Sequence, residues 1–315
     1  MRDFSLRMRL PEIRDEVVIL GFAPWDWRMA IYGRLARRNA VVYHTSWPYW
    51  ETESVPRRYG LLNPALQNLW LRTLRLHNVH VVAVLDESRR ELQDLYAIES
   101  TVIPHAVPEI FFAARRQYGV GHSGSLRLIF VGALWKKKGL EQILALMDSL
   151  RGETIELTIV GDGALQRRCI QAAASNPAIQ FLGPIRDRAE LAETMAAHDI
   201  LVLLSQREPP WEELFGIVIA EGMAAGLGVI ASNHIGPRSL LQEAGLGNLF
   251  DDDDLEGPLS LIRRLASHRT ELESFRNAHS DLADRFRLTS VADQWHEVID
   301  GAYRRLGVGD DENLS

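Results

Sequence analysis

Residues 212–231, EELFGIVIAEGMAAGLGVIA, hold the features that decide the fold of this chain. Their apolar centre, 215–220, separates Glu213 from Glu221. A buried carboxylate needs hydrogen-bond donors, because burial without partners costs several kcal/mol. The small residues after Glu221 allow a helix to pack closely on a sheet, and 229–231 is apolar enough for a buried strand. The stretch therefore predicts a loop, a helix and a strand, with carboxylates at both ends of an apolar turn.

Composition places the chain among ordinary globular proteins. It has 315 residues, of which 46% are hydrophobic and 24% are charged. This length suffices for two domains of about 150 residues each. The single cysteine, Cys169, excludes an intramolecular disulfide framework and is interpreted as a packing residue. The polar start shows no signal-peptide pattern and no apolar run approaches the ~20 residues that span a bilayer, so we expect a cytoplasmic protein.

Basic and acidic residues are unevenly distributed. Residues 1–118 carry 16 arginines against 13 acidic residues, although the whole chain has a net charge of −7. In this half, Trp47, Tyr49 and Trp50 precede two arginines at 57–58, a combination that suits an anionic membrane surface or an acidic acceptor. An ordinary solvated face is the commoner explanation. Peripheral contact with the inner face of a membrane is an expectation for this part of the chain.

The three lysines of the chain are consecutive, at positions 136–138, and all other Lys or Arg positions are arginine. A compact ammonium group on a flexible stem suits a phosphate oxygen as a point charge. The alternative is a solvated basic turn. The clustering favours a phosphate-binding role for at least one of the three.

Strand and helix patterns alternate regularly from residue 126 onward. Their near-continuous Val, Ile and Leu strands indicate a parallel sheet with helices on both faces. The first half repeats the alternation on a smaller scale, and the polar, glycine-bearing segment 113–125 has the composition of a linker. We predict two Rossmann-like domains, 1–118 and 119–285. An amphipathic helix over 286–306 is expected to pack back toward the first domain.

Three glycines and the Glu213 loop mark the expected ligand edge of the second domain. Open parallel sheets bind ligands beyond the carboxyl ends of their strands. Gly132, Gly161 and Gly183 each follow an apolar strand, and the Glu213 loop follows the strand DILVLLS at 199–205. We expect these segments to converge on one crevice that faces the other domain. No GxGxxG motif follows a strand, so a nicotinamide cofactor is not supported.

Four sequence blocks follow one another in the second half. They are VGALWKKKGLEQIL (131–144), IVGDGAL (159–165), IQFLGPI (179–185) and SQREPPWEELFGIVIAEGMAAGLGVIAS (205–232). Together they resemble the retaining glycosyltransferases of family 4, and the last block resembles that family's E-x7-E signature. One block is weak support, whereas four in order are specific. The resemblance implies an α/β chain of the GT-B fold, with two Rossmann-like domains that face a central cleft.

The resemblance also implies a site for a nucleotide-diphosphate sugar in the second domain. Glu221 would accept hydrogen bonds from the ribose hydroxyls, and Glu213 would address hydroxyls of the donor sugar. Lys138 would neutralise the diphosphate. Gly132 would let the chain approach the phosphates closely, and Gly161 is a further donor-binding candidate.

Backbone amides at Phe215, Gly216 and Ile217 open the predicted helix, and a helix N-terminus attracts anions independently of any resemblance.

His44 stands where family members carry a strand-end histidine. With Glu213 and Lys138 it completes the predicted catalytic set, although a structural histidine explains it equally well. No metal is required by the fold, and residues 251–254 are interpreted as a solvated turn.

The chain departs from the family pattern at several positions. An arginine usually precedes the lysine, and here the position is Ala133. The proline and the glutamate that family members carry near the signature are replaced by Gly228 and Ser239. We expect about 60 residues of the usual first domain to be absent, judged against a typical doubly wound domain. The segment VVILGFA at 17–23 would then be an inner strand of a truncated first domain.

Three functions stay open. The leading hypothesis is a retaining glycosyltransferase that moves a hexose-like unit from a nucleotide sugar to a glycan or lipid-linked acceptor in cell-envelope glycan biosynthesis. It needs no metal, further cofactor or nucleic acid. A catalytically weak or inactive GT-B binding subunit is the second; Ala133 and the short first domain favour it, whereas the retained Glu213, Glu221 and Lys138 do not. A GT-B epimerase or phosphorylase is the third, and its cofactor lysine motif and paired acids are not found.

Overall fold

The computed structural model describes residues 9–50, 59–115, 124–208, 211–242 and 245–306. The chain forms two compact units: unit 1 consists of residues 1–105 and 289–315, and unit 2 of residues 106–288. The domain boundary expected at 118–119 falls in the segment 116–123, outside the described residues, and the division between units precedes it.

Unit 1 contains a parallel four-stranded sheet in the order β1-β2-β3-β4. Its elements are β1 (Val17–Leu20), α1 (Met29–Tyr32), β2 (Ala40–Thr45), α2 (Asn63–Leu74), β3 (Val79–Ala83), α3 (Asp86–Tyr96) and β4 (Ser100–Val102), with 3-10 turns at Leu10–Glu12, Gly33–Arg37 and Gly60–Leu62. The strand β1 lies at an edge of this sheet and leaves Ile19 exposed. It is therefore not the inner strand predicted for 17–23, because within the described residues it pairs only with β2.

The core of unit 1 is a cluster of aromatic rings. Trp25, Tyr43, Trp50 and Trp70 contact one another, and most pairs meet edge to face with ring centroids 4.8 to 6.4 Å apart. Edge-to-face packing is the favourable geometry for aromatic pairs. Trp50 is fully buried in this cluster. Trp50 therefore belongs neither to a membrane-facing surface nor to a solvated face, the two alternatives left open for it, while the arginines at 57–58 lie outside the described residues.

Unit 2 contains a parallel six-stranded sheet in the order β10-β9-β8-β5-β6-β7. Its elements are α4 (Glu109–Ala114), β5 (Leu126–Val131), α5 (Leu140–Ser149), β6 (Ile155–Val160), α6 (Gln166–Ser175), β7 (Ile179–Gly183), α7 (Arg188–Ala196), β8 (Ile200–Leu203), α8 (Ile217–Ala224), β9 (Gly228–Ser232), α9 (Ile235–Leu241), β10 (Leu249–Phe250), α10 (Glu256–Ser267) and α11 (Arg269–Ala283). The strand order reverses between β5 and β8. Ligand sites of open parallel sheets lie at such a switch point, beyond the carboxyl ends of the strands.

A buried carboxylate lies at the amino ends of the strands, opposite the end at which a ligand is expected. Asp199, just before β8, accepts a hydrogen bond from the backbone N–H of Arg127 at 2.8 Å and contacts the guanidinium groups of Arg127 and Arg276, each at 3.2 Å. Burial alone would raise the pKa of Asp199, but the two arginines outweigh it and hold the pKa below its ordinary value. The ionised carboxylate thus joins β5, β8 and α11 at the amino ends of the strands, away from the predicted ligand residues.

The last helix, α12 (Leu288–Arg305), follows a 3-10 turn at Asp284–Phe286. It buries Val291, Val298 and Ala302 along one face, which is the apolar face that its sequence pattern predicts. Residues 289–315 belong to unit 1, and the ring of Trp295 lies 5.5 Å from that of His44. No helix among the described residues combines the length and apolarity needed to cross a bilayer.

Two buried side chains of unit 2 are explained by packing. Cys169 is completely buried in the hydrophobic core, and burial raises the pKa of its thiol to about 11. Its interpretation as a packing residue is confirmed. His279 is also completely buried; one ring nitrogen contacts the carbonyl of Phe275 at 2.7 Å, and the other contacts the side-chain amide nitrogen of Asn248 at 2.8 Å. Burial lowers the pKa of His279 to about 4.

Because of His279, the protein is expected to lose stability as the pH falls. Between the ordinary pKa of 6.5 and the folded value of about 4, the unfolded chain binds a proton that the folded chain does not. The free energy of unfolding therefore decreases by about 3 kcal/mol across this window from this residue alone. Urea unfolding at several pH values measures the loss.

The matched variants are His279→Gln, in which the amide oxygen still accepts a hydrogen bond, and His268→Gln at an exposed site. His279→Gln should make the free energy of unfolding depend less steeply on pH, whereas His268→Gln should keep the wild-type dependence. Equal slopes in wild type and His279→Gln would contradict the assignment.

Candidate functional site

A 3-10 turn formed by Lys136–Lys138 follows β5, and Gly139 fixes its position. The backbone of Gly139 has φ +72°, in the left-handed region, and a Cβ atom there would lie 1.6 Å from the carbonyl oxygen of Leu204. The backbone N–H of Gln206 also donates to the carbonyl of Lys137 at 2.9 Å. The turn is therefore pressed against the end of β8, where the loop to the signature begins.

Lys138 forms an ion pair with Glu213 across this contact. Its Nζ atom donates to Oε2 of Glu213, and the hydroxyl of Ser205 approaches the same oxygen at 3.3 Å. The side chain of Lys138 is 22% exposed and that of Glu213 is 11% exposed, whereas Lys136 is exposed. Among the described residues no hydrogen bond reaches Oε1 of Glu213. The structure thus brings together two predicted catalytic residues, and for Lys138 it does not support a solvated basic turn.

The backbone of Glu213 is held by a buried histidine. Its N–H donates to Nδ1 of His234 at 3.0 Å, and its carbonyl accepts from the N–H of Gly236 at 3.0 Å. Since Nδ1 accepts, Nε2 carries the proton and donates to Asp252 at 2.8 Å. His234 has no exposed surface. No local sequence pattern connects His234 to Glu213, because the two lie 21 positions apart.

Asp252 is not simply part of a solvated turn. The interpretation of residues 251–254 as a solvated turn is therefore wrong for this residue. Besides His234, it accepts from the backbone N–H of Arg207 at 2.6 Å and from its guanidinium at 3.0 Å. Glu212, next to Glu213, accepts from the N–H of Ile235 at 2.8 Å. These contacts join the signature loop to the ends of β9 and β10. They are long-range pairs that sequence spacing does not reveal.

Trp211 lies beside the lysine turn. The Nζ atoms of Lys137 and Lys138 are 4.4 and 5.3 Å from the centroid of its ring. A cation over the face of a tryptophan is attracted by the negative face of the ring. The ring therefore orients both ammonium groups, a role that the sequence did not suggest.

Glu221 is buried within α8, in the short helix that the signature predicts. Its Oε1 accepts from a terminal nitrogen of Arg188 at 2.5 Å, and the guanidinium carbon of Arg188 lies 4.8 Å from the centroid of the Phe111 ring. Burial raises the pKa of Glu221, and Arg188 opposes this effect. The donors that a buried carboxylate needs thus include a protein cation that the sequence did not identify.

The start of α8 has the form expected for the predicted amides. Gly216 precedes the helix with φ +67°, and its carbonyl accepts from the N–H of Ile219 at 2.7 Å. A Cβ at Gly236 would lie 2.6 Å from the backbone nitrogen of Phe215, so a glycine is needed opposite it. The amides of Ile217 and Val218 precede the first hydrogen bond of the helix and have no intrahelical acceptor. They are available to an anion in the way that helix N-termini allow.

The glycines predicted at the ligand edge lie next to one another. A Cβ at Gly161 would lie 1.9 Å from the carbonyl oxygen of Gly132, and the N–H of Gly161 donates to the carbonyl of Gly183 at 2.9 Å. Close contact between neighbouring strand ends therefore explains the glycine at 161 without a ligand. The convergence of these strand ends within unit 2 is as expected.

His44 lies in unit 1, at the end of β2. It contributes to a cavity of about 250 Å³ whose lining is Gly21, Phe22, Ala23, His44, Thr45, Ser46 and Trp47. Its ring lies 6.4 Å from that of His105. Burial, and secondly the charge of His105, lower the pKa of His44, which favours the neutral imidazole. In the described part of the chain, no three His, Cys, Asp or Glu side chains form a metal site.

The chain has two α/β units, each with a parallel sheet, as the resemblance to GT-B glycosyltransferases implies. Residues 116–280, more than half of the chain, match the family model described as glycosyl transferases group 1. The chain belongs to this family.

Several curated proteins are similar in sequence. The phosphatidyl-myo-inositol mannosyltransferase of Mycobacterium tuberculosis is 29% identical over 192 residues, 59% of this chain and 49% of that protein. The sulfoquinovosyl transferase SQD2 of Arabidopsis thaliana is 27% identical over 162 residues, 50% of this chain and 30% of that protein. The GDP-mannose-dependent alpha-mannosyltransferase of Mycolicibacterium smegmatis is 36% identical over 144 residues, 44% and 35% of the two chains. The chain thus aligns with half or less of the length of these relatives.

Solved structures of low sequence identity share the fold. Sucrose-phosphate synthase from Thermosynechococcus elongatus has a TM-score of 0.66 at 17% identity, over 92% of this chain and 74% of that one. Anabaena HepE in complex with UDP has a TM-score of 0.68 at 18% identity, over 95% and 81%. WaaG, a glycosyltransferase involved in lipopolysaccharide biosynthesis, has a TM-score of 0.63 at 17% identity, over 95% and 82%. The predicted α/β class and GT-B fold are confirmed.

Proposed function

We propose that the chain is a retaining glycosyltransferase that transfers a sugar from a nucleotide-diphosphate sugar to a glycan or lipid-linked acceptor. The observation that carries the proposal is the contact of Lys138 with Glu213 at the switch point of the unit 2 sheet. This contact places a cation that suits a phosphate beside a carboxylate that suits sugar hydroxyls. Membership of the glycosyl transferases group 1 family supports the same chemistry.

Different residues of the site are proposed to bind different parts of the nucleotide-sugar donor. Glu213 and Glu221 each have one oxygen bound to a protein cation, and for each the described residues supply no donor to the other oxygen. A carboxylate oxygen is an acceptor only, so these oxygens suit hydroxyl groups: donor sugar at Glu213 and ribose at Glu221. Lys138 and the amides that open α8 would bind the diphosphate. The donor is then a substrate, and no metal or other cofactor is part of the proposal.

Catalysis in this proposal depends on stabilising the leaving diphosphate. The acceptor hydroxyl attacks the anomeric carbon from the face that the diphosphate leaves, so the anomeric configuration is kept. Preorganised cations and amides lower the barrier where negative charge develops, and they are stronger in a site that excludes water. His44, in its own cavity of unit 1, is proposed to help position a sugar. Its lowered pKa leaves a neutral ring that both donates and accepts hydrogen bonds.

The names of similar proteins suggest which substrates to test. One relative is GDP-mannose-dependent, and one structural neighbour contains UDP, so both bases are candidates. A phosphatidyl-myo-inositol mannosyltransferase among the relatives favours a lipid-linked acceptor and a role in cell-envelope glycans. A cytoplasmic location with peripheral contact at the inner membrane face fits such an acceptor. Trp47 and Tyr49 are partly exposed and are proposed for that contact.

A GT-B binding subunit with little or no catalysis is the second candidate. The observation in its favour is Ala133, an exposed residue shortly before the lysine turn. It carries no charge at the position where family members usually have an arginine. Turnover separates the two candidates, because a binding subunit would bind a nucleotide sugar without releasing the nucleoside diphosphate.

Nucleotide sugars are expected to raise the melting temperature of the protein by several degrees, because ligand binding to the folded state stabilises it. The shift should be lost in Glu221→Gln, since an amide presents a donor nitrogen in place of one acceptor oxygen. Differential scanning fluorimetry across UDP- and GDP-sugars measures the shift, and release of UDP or GDP in the presence of acceptors measures transfer.

The control is Glu156→Gln, an exposed glutamate on β6, which should keep the wild-type shift. If no nucleotide sugar at millimolar concentration shifts the melting temperature of wild type, the proposed donor site is wrong. If unliganded Glu221→Gln unfolds, Glu221 has a structural role instead.

A further inference from the structure

Arg188 is the cation of the buried Glu221, and it comes from a different helix. It occupies the first position of α7, which begins at the Asp187 cap. Its side chain is 50% exposed, and its guanidinium donates to Oε1 of Glu221 at 2.5 Å and lies over the ring of Phe111. The ring restricts the guanidinium, and the guanidinium in turn restricts the orientation of the Glu221 carboxylate. None of the sequence blocks contains Arg188.

The contact with Arg188 uses only one of the two carboxylate oxygens of Glu221. Within the described chain, Arg188 binds Oε1, and no donor binds Oε2 of Glu221. The side chain of Glu221 keeps 6% of its surface exposed, so the carboxylate is not completely sealed inside unit 2. A carboxylate with one fixed oxygen and one accessible oxygen is oriented for a ligand donor. An uncompensated carboxylate in the same buried place would tend to take up a proton.

The other elements around α8 do not replace this cation. The helix packs against α4, α7, α9, α11 and β9. Glu109 of α4 pairs with Arg287, Arg276 of α11 pairs with Asp199, and His279 contacts Asn248. The remaining ionisable residues of α7 and α9 are Glu190, Glu193 and Arg238. Among all of these groups, Arg188 is the charged one that acts on Glu221.

We propose that Arg188 is a positioning residue for the nucleotide sugar: it holds Oε1 of Glu221 so that Oε2 is presented as a charged acceptor to the ribose hydroxyls. The inference rests on the proposed function and adds a residue to its donor site. Arg188 acts through Glu221 and has no assigned contact with the reacting atoms. Without it, Glu221 is protonated at a higher pH and binds hydroxyl donors less well.

The test compares pH profiles of binding, which a merely structural role would not change. Dissociation constants of UDP-glucose and GDP-mannose are measured by calorimetry between about pH 5 and pH 8 for wild type, Arg188→Met, Arg188→Gln and Arg188→Lys. Both ends of the diphosphate are esterified in these probes, so the phosphates themselves do not titrate in this range. Arg151→Met is the matched control. Its side chain is 48% exposed and pairs with Asp148, before the amino end of β6.

Arg188→Met and Arg188→Gln are expected to weaken binding relative to wild type by at least about tenfold more at pH 5 than at pH 8, because Glu221 takes up a proton. Arg188→Lys restores the charge and should restore the wild-type profile, and Arg151→Met should not change it. Profiles of folded Arg188→Met and Arg188→Gln that run parallel to wild type overturn this inference alone. Failure of wild type to bind either probe overturns the proposed function as well.

Discussion

Replacing Lys138 by methionine is expected to lower the rate of sugar transfer by about 100- to 1,000-fold, the usual effect of removing one preorganised donor from a site of developing negative charge. Lys138 is the lysine in contact with Glu213, and it is more buried than Lys136. In the proposed mechanism, its loss removes the cation that stabilises the leaving diphosphate. Release of UDP or GDP with saturating donor measures the effect on kcat.

Two further variants separate this effect from damage to the fold. Lys136→Met removes an exposed ammonium group from the same turn and should retain nearly all activity. Lys138→Met also leaves the buried Glu213 without its cation, which destabilises the protein. The double variant Lys138→Met/Glu213→Gln should recover stability and still lack transfer. Equal activity of Lys136→Met and Lys138→Met would contradict the assigned role.

Gly139→Ala is expected to destabilise unit 2 by about 3 kcal/mol, because two penalties coincide. The backbone has φ +72°, which strains any residue with a Cβ, and that atom would lie 1.6 Å from the carbonyl oxygen of Leu204. The turn must therefore move away from β8. The movement should separate Lys138 from Glu213 and weaken donor binding as well. Urea unfolding and calorimetry with a nucleotide sugar measure the two effects.

Gly152→Ala is the matched control for Gly139→Ala. Gly152 also has a left-handed backbone, with φ +83°, but a Cβ there would meet no atom within 4 Å. This control therefore includes the backbone strain and excludes the steric contact, so it should cost about 1 kcal/mol and leave donor binding intact. If the two variants were equally stable, the close contact at Leu204 would not be needed to hold the lysine turn.

The parts of the site that sequence could predict are those governed by one strand and the turn after it. Lys138 follows β5 and Glu213 follows β8, and parallel strands end at the same edge, so their contact is a consequence of sheet order. Glu221 and the glycine at 216 were predicted in the same way, from an apolar helix that begins after a turn. Alternation of strands and helices sufficed for the α/β class.

The remaining site residues are paired with the signature by tertiary packing. Arg188 reaches Glu221 across 33 positions, and His234 reaches Glu213 across 21. No local periodicity encodes such pairs. Asp252 was misinterpreted because four consecutive aspartates are usually solvated, whereas here one of them meets a buried imidazole. Trp50 was placed on the surface from its neighbours in sequence, but the aromatic core of unit 1 buries it.

The distribution of tryptophans gives each unit its own optical reporter. Of the eight tryptophans in the chain, unit 2 contains Trp135 and Trp211, and the other six are in unit 1. The indole of Trp211 lies under two ammonium groups, and Trp135 is exposed directly before them. The emission of the two tryptophans of unit 2 therefore originates beside the lysine turn, whereas Trp25, Trp50 and Trp70 of unit 1 are buried among apolar side chains and emit at shorter wavelength. Occupancy of the turn and unfolding of unit 1 can be followed in one unlabelled sample.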